Sequence, residues 1–398
     1  MTARGRSRAL ALSAALAACL MSAGTAAEPP PLRIALSTEP NSLSPLLALN
    51  DYEQFVDRLV FDVLVAADER GNLVPRLAAQ VPTLENGGIS RDGRTLTYHL
   101  RRNVRWHDGV RFTSRDVAFS FGAMMNPANN VANRHGYDLV ERVETPDPFT
   151  VVFRMKRPYG PAVVTLFSDN TPNAIFPEHL LGKLPDLDRI AFNEQPIGTG
   201  PYKLMRWRRG QSVELEANAA YYLGAPKIRR LSIRFVGDEG SILNQLRAHD
   251  IDAYVITSLN AFGLGKTIPG IRGVPSDVHG ASVVLMNTQA GPTRDPRVRR
   301  AIAAAIDKRT IVARFTFGAA TQAQADLPPF MWAHDPTVRA QGYDPGLARR
   351  LLREAGYDET IYVHGALERL NALYQRHGVD LGPLAPATTA KKADFAGA

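Results

Sequence analysis

His107 and Asp108 are the neighbours in this chain that come nearest to an acid–base pair, an imidazole able to move a proton beside a carboxylate able to orient it. They stand, however, in Trp106-His107-Asp108-Gly109. Adjacent side chains in a tight turn do not converge on one proton, so Asp108 and Gly109 are read as turn formers and Trp106 as a packing residue. The run Gly263-Leu264-Gly265-Lys266-Thr267 has the ending of a phosphate loop, but Asn260 stands where that motif needs its first glycine and no apolar helix follows. Nine histidines, at positions 99, 107, 135, 179, 249, 279, 334, 364 and 377, are dispersed without metal-ligand spacing. There is no G-x-S-x-G elbow and no H-E-x-x-H pair, and the single cysteine is Cys19. With no nucleophile–base pattern, the chain is not expected to be an enzyme, and no catalytic residue, cofactor or metal is expected.

The elements around these residues follow from hydrophobic periodicity. Leu32 to Leu36 is a short apolar strand, followed by a polar loop over 37–42. Residues 52–65 carry Phe55, Val56, Leu59, Val60 and Val63 at helical spacing. Leu96, Tyr98 and Leu100 alternate with polar residues, which predicts a half-buried strand over 95–101. Thr113 then caps a helix over 113–126 with Asp116 in its first turn, Val117, Phe121 and Met124 facing inward, and Pro127 as the stop. Residues 149–155 alternate again. A βαβ unit follows: a strand through Leu231, Ile233 and Phe235, a helix over 241–248 and a second strand over 251–256, which implies parallel pairing. Asp295-Pro296 and Asp344-Pro345 are helix starts, the second helix ending at Gly356. Residues 360–377 predict one more helix, whereas 383–398 are small, polar and aperiodic, the composition of a disordered end. The pattern is a mixed α/β chain in more than one lobe.

At 398 residues, 45% hydrophobic and 22% charged, the chain has the length for two or three domains and an ordinary globular core. Its net charge of +8 is scattered, and no basic stripe or aromatic stacking pattern marks a nucleic-acid face. The N-terminus reads as a secretory leader: Arg4, Arg6 and Arg8, an apolar run over 9–20 too short to span a bilayer, then small residues up to Ala27. Cleavage after Ala27 leaves a soluble periplasmic protein. Alternatively Leu16-Ala17-Ala18-Cys19 is a lipoprotein box, and Cys19 becomes the lipid-bearing first residue. Either way no thiol remains in the folded body, which suits an oxidising compartment.

Several segments, in order, resemble family 5 of the bacterial extracellular solute-binding proteins, the peptide and nickel receptors of ABC importers. They are Thr38-Glu39-Pro40-Asn41-Ser42-Leu43-Ser44-Pro45, Val74-Pro75-Arg76-Leu77-Ala78, Trp106-His107-Asp108-Gly109 through Val117, Gly198-Thr199-Gly200-Pro201-Tyr202-Lys203, Tyr221-Tyr222, Asp250-Ile251-Asp252, Met286-Asn287-Thr288, Asp295 through Lys308, and Tyr343 through Tyr357. Each is weak alone; collinear over more than three hundred residues, they are specific.

The resemblance implies an α/β, periplasmic-binding-protein type fold of two lobes (class II-like) with an extra subdomain on lobe 1. Residues 1–27 (or 1–18) are then the leader, 32–54 and 158–275 lobe 1, 55–157 the extra subdomain, 276–357 a partial lobe 2, and 358–398 a divergent tail. The match is expected to end at about Tyr357, as in a truncated or divergent copy with an incomplete second lobe. The implied function is capture of oligopeptides in an interlobe cleft and delivery to a membrane ABC permease, by a monomer in the periplasm. Three segments should line the cleft, 37–41, 255–258 and 279–282, the second also because ligands sit beyond the carboxyl ends of parallel strands. They nominate Glu39, Asn41, Thr257, Ser258, His279, Gly280 and Ser282 as ligand-binding residues, with Tyr137 added. Alternatives are a receptor for a nickel chelate, opine or sugar, a non-functional truncated paralogue, and an exported hydrolase.

Overall fold

The computed structural model describes residues 29–48, 50–68, 71–131, 133–169, 174–255, 258–274, 282–325 and 334–357. The leader with Cys19 and the helix predicted over 360–377 lie outside these residues. The chain divides into two compact units that part between Ile256 and Thr257.

In chain order the first unit contains β1 (Leu32–Leu36), α1 (Asp51–Val60), β2 (Val65–Ala67), β3 (Leu73–Pro75), β4 (Thr95–His99), α2 (Ser114–Met125), β5 (Val140–Asp147), β6 (Thr150–Met155), β7 (Tyr202–Arg208), β8 (Ser212–Ala217), β9 (Arg230–Phe235), α3 (Glu239–Arg247) and β10 (Ala253–Tyr254). Five strands form one mixed sheet in the order β10-β1-β9-β8-β7. β9 and β10, the strands of the βαβ unit, run parallel as the sequence implies, yet they are not neighbours. β1 inserts between them, pairing Leu32 with Leu231 and Leu36 with Phe235 on one side and Ile34 with Ala253 on the other. Arg33 fastens this junction by donating from Nε and Nη2 to Asp252 at 3.0 and 2.7 Å. With partners on both edges, β1 is covered over its carboxyl-terminal half, where Ala35 and Leu36 are fully buried, while Leu32 and Arg33 are half-buried.

A separate antiparallel sheet has the order β4-β6-β5. β6 is its central strand: Val151, Phe153 and Met155 are buried on one face, and on the other Val152 is buried between the half-buried Thr150 and Arg154. Tyr98, Phe121, Tyr137 and Phe167 surround Phe153 or one another edge-on and stacked. The capping of α2 is as its sequence predicts: the Thr113 amide donates to Asp116 Oδ2 at 2.7 Å. α1 is shorter than its periodicity. The Asn50 side chain caps its start, accepting from the Tyr52 and Glu53 amides, but the helix ends at Val60. Beyond it the chain is recruited into β2, which pairs with β3.

The second unit contains α4 (Leu259–Gly265), α5 (Pro296–Ala305), α6 (Lys308–Phe315) and α7 (Pro345–Glu354). Asp295, Asp307 and Asp344 each cap a helix by accepting a backbone amide. α5 and α7 share a small core of Val298, Ala301, Ala304, Ala348, Leu351 and Leu352. Gly356, at φ +81°, takes the left-handed conformation that ends α7. No strand pairing occurs among the described residues of this unit.

Candidate functional site

The carboxyl ends of the parallel strands bring four polar side chains together in the first unit. Ser37 follows β1, and its Oγ lies 2.6 Å from Tyr52 Oη in the first turn of α1. Tyr254 ends β10 and donates its phenolic hydrogen to Glu239 Oε1 at 3.1 Å. Glu239 opens α3, whose N-cap is Asp238. Burial raises the Tyr254 phenol above its usual range, and the bond to Glu239 adds to this, while the facing Ser37 hydroxyl offsets part of it. Tyr254 therefore stays a neutral donor at physiological pH. All four residues are half-buried. The cluster supplies hydroxyls and one carboxylate for hydrogen bonding. Ser37 faces the Tyr52 and Tyr254 phenols, neither of which is a general base for a serine nucleophile at neutral pH.

The two nominated residues of the adjoining loop are committed to scaffold. Glu39 clamps the β7–β8 hairpin, accepting from Trp207 Nε1 at 3.0 Å and from the Gly210 amide at 2.9 Å. The Arg209 guanidinium stacks on Trp207 at 3.4 Å and donates to the Asn41 carbonyl at 3.2 Å. Asn41 donates from its amide and its Nδ2 to Glu53 Oε1 at 3.1 and 2.9 Å. The structure thus brings Glu39 and Asn41 together around Arg209 and holds the loop that presents Ser37.

The other nominated residues stand elsewhere. Tyr137 is 1% exposed in the core of the antiparallel module, where its hydroxyl accepts from the Phe167 amide at 2.8 Å. Ser258 caps α4 in the second unit by accepting from the Ala261 amide. Ser282 is exposed in the second unit. Thr257, His279 and Gly280 lie outside the described residues. Sequence reasoning missed Tyr52, Glu239 and Tyr254. The rule that ligands sit beyond parallel strand ends reaches Tyr254 and, through the first residue of the crossover helix, Glu239; no local signal marks Tyr52.

The Trp106-His107-Asp108-Gly109 segment is a turn, with Gly109 at φ +92° and Trp106 2% exposed. His107 stitches it to the glycine-rich turn at 198–200. Its amide donates to Gly198 O, Gly198 N donates to its Nδ1 at 3.2 Å, and its Nε2 faces Gly200 O at 3.0 Å. An acceptor at Nδ1 and a donor at Nε2 describe a neutral ring. Burial, with nearby Lys203 as a lesser cause, lowers the imidazole to about 4. Close packing explains the glycines: a Cβ at Gly198 would lie 1.8 Å from the Val60 carbonyl oxygen. His107 is a fastener, not a proton shuttle.

Among the described residues, no group of three or more His, Cys, Asp or Glu side chains is placed to hold a metal ion, and no helix is long and apolar enough to cross a membrane. The sequence profile of bacterial extracellular solute-binding proteins, family 5 Middle, matches residues 72–376, running past Tyr357. Protein XP55 of Streptomyces lividans is 32% identical over 81% of this chain and 57% of its own length. The oligopeptide-binding protein AppA of Bacillus subtilis is 26% identical over 81% of this chain and 58% of its own. The chain thus spans a little under three fifths of the length of these relatives. The crystal structure of NikZ from Campylobacter jejuni, in complex with Ni(L-His), is similar with a TM-score of 0.71 and 28% identity, over 88% of this chain and 72% of that one.

Proposed function

Because this chain belongs to family 5 of the bacterial extracellular solute-binding proteins, we propose that it is an exported receptor that holds a small solute, an oligopeptide first among the classes, without altering it and passes it to an ABC import permease. The observation that carries this reading is the half-buried cluster of Ser37, Tyr52, Glu239 and Tyr254 at the carboxyl ends of parallel strands. Its donors and acceptors suit a peptide backbone, whose amides and carbonyls repeat whatever the side chains are. AppA of Bacillus subtilis is named for oligopeptide binding, which supports the same class.

A second reading has its own support. The NikZ structure holds nickel as a complex with histidine. With no three-ligand group among the described residues, those residues suit a metal that arrives already chelated. The test is thermal unfolding of the full chain, purified from periplasm, against defined tri- to pentapeptides and against Ni(L-His). Peptide at a hundredfold excess over Kd should stabilise by about 2.7 kcal/mol. A rise with Ni(L-His) alone would move the assignment to a chelate, and release of free amino acids from the peptides would overturn the receptor reading. Native mass spectrometry of the same sample reads the mature N-terminus, distinguishing cleavage after Ala27 from acylation at Cys19, and its mass is expected to be that of a monomer.

A further inference from the structure

The hairpin that carries the Trp106 to Gly109 turn gathers positive charge without an answering anion. Arg105 and Arg111 pair across it. The Trp106 and Phe112 amides donate to the Val110 and Val104 carbonyls on either side. The two arginines are therefore a non-hydrogen-bonded pair, the kind in which facing side chains lie closest. Like charges set directly opposite each other destabilise such a pairing. A third guanidinium joins them, because the Phe149 ring holds Arg102 at 5.1 Å and Arg111 at 6.0 Å from its centroid. All three arginines are exposed. In the same unit Arg33, Arg76, Arg142, Arg154 and Arg209 each meet a carboxylate within 3.3 Å, whereas no ion pair engages Arg102, Arg105 or Arg111 among the described residues. Arg105 spends one N–H on the Gly109 carbonyl at 2.9 Å. Two carboxylates stand nearby, and both are committed. Asp108 accepts from the Val110 amide at 3.0 Å and lies 2.8 Å from His179 Nε2. Asp147 accepts from the Phe149 amide at 2.7 Å, and its lowered carboxyl owes most to that bond and less to Arg102. Val110, between the turn and Arg111, is apolar and 42% exposed.

We propose that this hairpin is a docking surface for an anionic lipid bilayer, with the Arg102, Arg105 and Arg111 guanidiniums against lipid phosphates and Val110 in the headgroup layer. Guanidiniums donate in pairs and match phosphate oxygens. A phosphate between Arg105 and Arg111 turns their mutual repulsion into attraction for a shared anion. Cations held beside an anionic membrane surface each add to binding. Val110 decides between partners. An apolar side chain among cations suits an interface that is anionic and partly apolar together, whereas an acidic protein segment answers the charge alone. The surface shares no residue with the strand-end cluster. It goes beyond the receptor reading, and its test needs no solute.

The experiment is co-sedimentation of the full chain with vesicles of equimolar phosphatidylglycerol and phosphatidylcholine, and with vesicles of phosphatidylcholine alone. Binding that depends on phosphatidylglycerol is expected at about 0.1 M salt and should be lost at about 1 M, where the screening length shrinks from about 10 to about 3 Å. An acyl chain on Cys19 would add to both vesicle types alike, so the difference between them reads the hairpin. Changing Arg102→Gln, Arg105→Gln and Arg111→Gln together should weaken that difference at least about tenfold, and Arg111→Gln alone by about threefold to fivefold. Melting of these variants should not fall, since a like-charge pair is removed; if the triple variant fails to fold, Arg111→Gln carries the test. Arg206→Gln, Arg208→Gln and Arg229→Gln together remove the same charge from exposed positions elsewhere in the unit and should cost less than about threefold. Val110→Ser should weaken binding to vesicles and leave binding to poly-L-glutamate unchanged. An equal loss in both triple variants would reduce the effect to net charge and overturn the inference. Partition indifferent to phosphatidylglycerol would overturn it too, and so would binding to poly-L-glutamate without binding to vesicles, which would give the surface to an acidic protein segment.

Discussion

In the first compact unit, a continuous cluster of buried side chains runs from Ile34 in β1 to Ile233 in β9 and takes in Tyr98, Trp106, Phe112, Tyr137, Phe153 and Phe167. In the second, the buried cluster of α5 and α7 is six residues, three of them alanine. A buried large side chain contributes about 1.5–3 kcal/mol, and a methyl group far less. The first unit is therefore held by packing between segments distant in sequence. The second leans on local devices, Asp295, Asp307 and Asp344 at helix starts and Gly356 at a helix end. Strong scaffold and weak scaffold are made by different kinds of interaction, so they should fail to different perturbations.

Calorimetry of the full chain tests this first, because two unequal units should give two transitions; a single cooperative one would break the comparison. Trp106→Ala has the largest expected effect. It removes a 2% exposed ring packed on Phe112 and His179 and should cost the first transition about 4 kcal/mol, leaving the second in place. Acid comes next. The folded His107 imidazole titrates at about 4 against an ordinary 6.5, so the unfolded chain takes the proton first. Stability of the first unit is complete above pH 6.5 and should fall by about 3 kcal/mol as the pH drops to 4. Urea midpoints across that window measure it, and His107→Gln should flatten the slope. Asp57 acts with the opposite sign, since its folded carboxyl is raised and its penalty grows as the pH climbs above the ordinary carboxylate range.

Leu352→Ala should lower only the second transition, by about 2.5 kcal/mol, near the small end for such a truncation because alanines surround the site. The smallest effect belongs to Asp344→Ala, which removes the side-chain acceptor for the Leu347 amide and should cost about 1 kcal/mol, again in the second transition alone. Asp344→Asn should restore most of it. A cap loss that moved the first transition instead would show that the two units do not unfold independently.

The helix starts were legible because capping is settled within four residues. Thr113 with Asp116, Asp295-Pro296 and Asp344-Pro345 all stand where their side chains reach the first free amides. The strands of the βαβ unit were legible for a similar reason. Their neighbour was not, because β1 enters between β9 and β10 from about two hundred residues away. The periodicity over 52–65 overran the helix, since pairing of β2 with β3 outweighed local preference after Val60. At the site, strand-end reasoning led to 255–258 and the family resemblance to the loop over 37–41, but Glu39 and Asn41 spend their polar atoms on Trp207, Gly210 and Glu53. The half-buried Ser37 and Tyr254 are marked only by where their strands end.

By itself the amino-acid sequence determined the family, the mixed α/β character, the capped helices and the structural role of the Trp106 to Gly109 turn, since each rests on residue types at short spacing. Only the tertiary structure decided that β1 lies between β9 and β10, that Ser37, Tyr52, Glu239 and Tyr254 meet, and that Asp57 is buried without a partner. The reason is physical. Local hydrogen bonds and periodicity are written in neighbouring residues, whereas burial and the satisfaction of a polar group depend on which distant segments close over it.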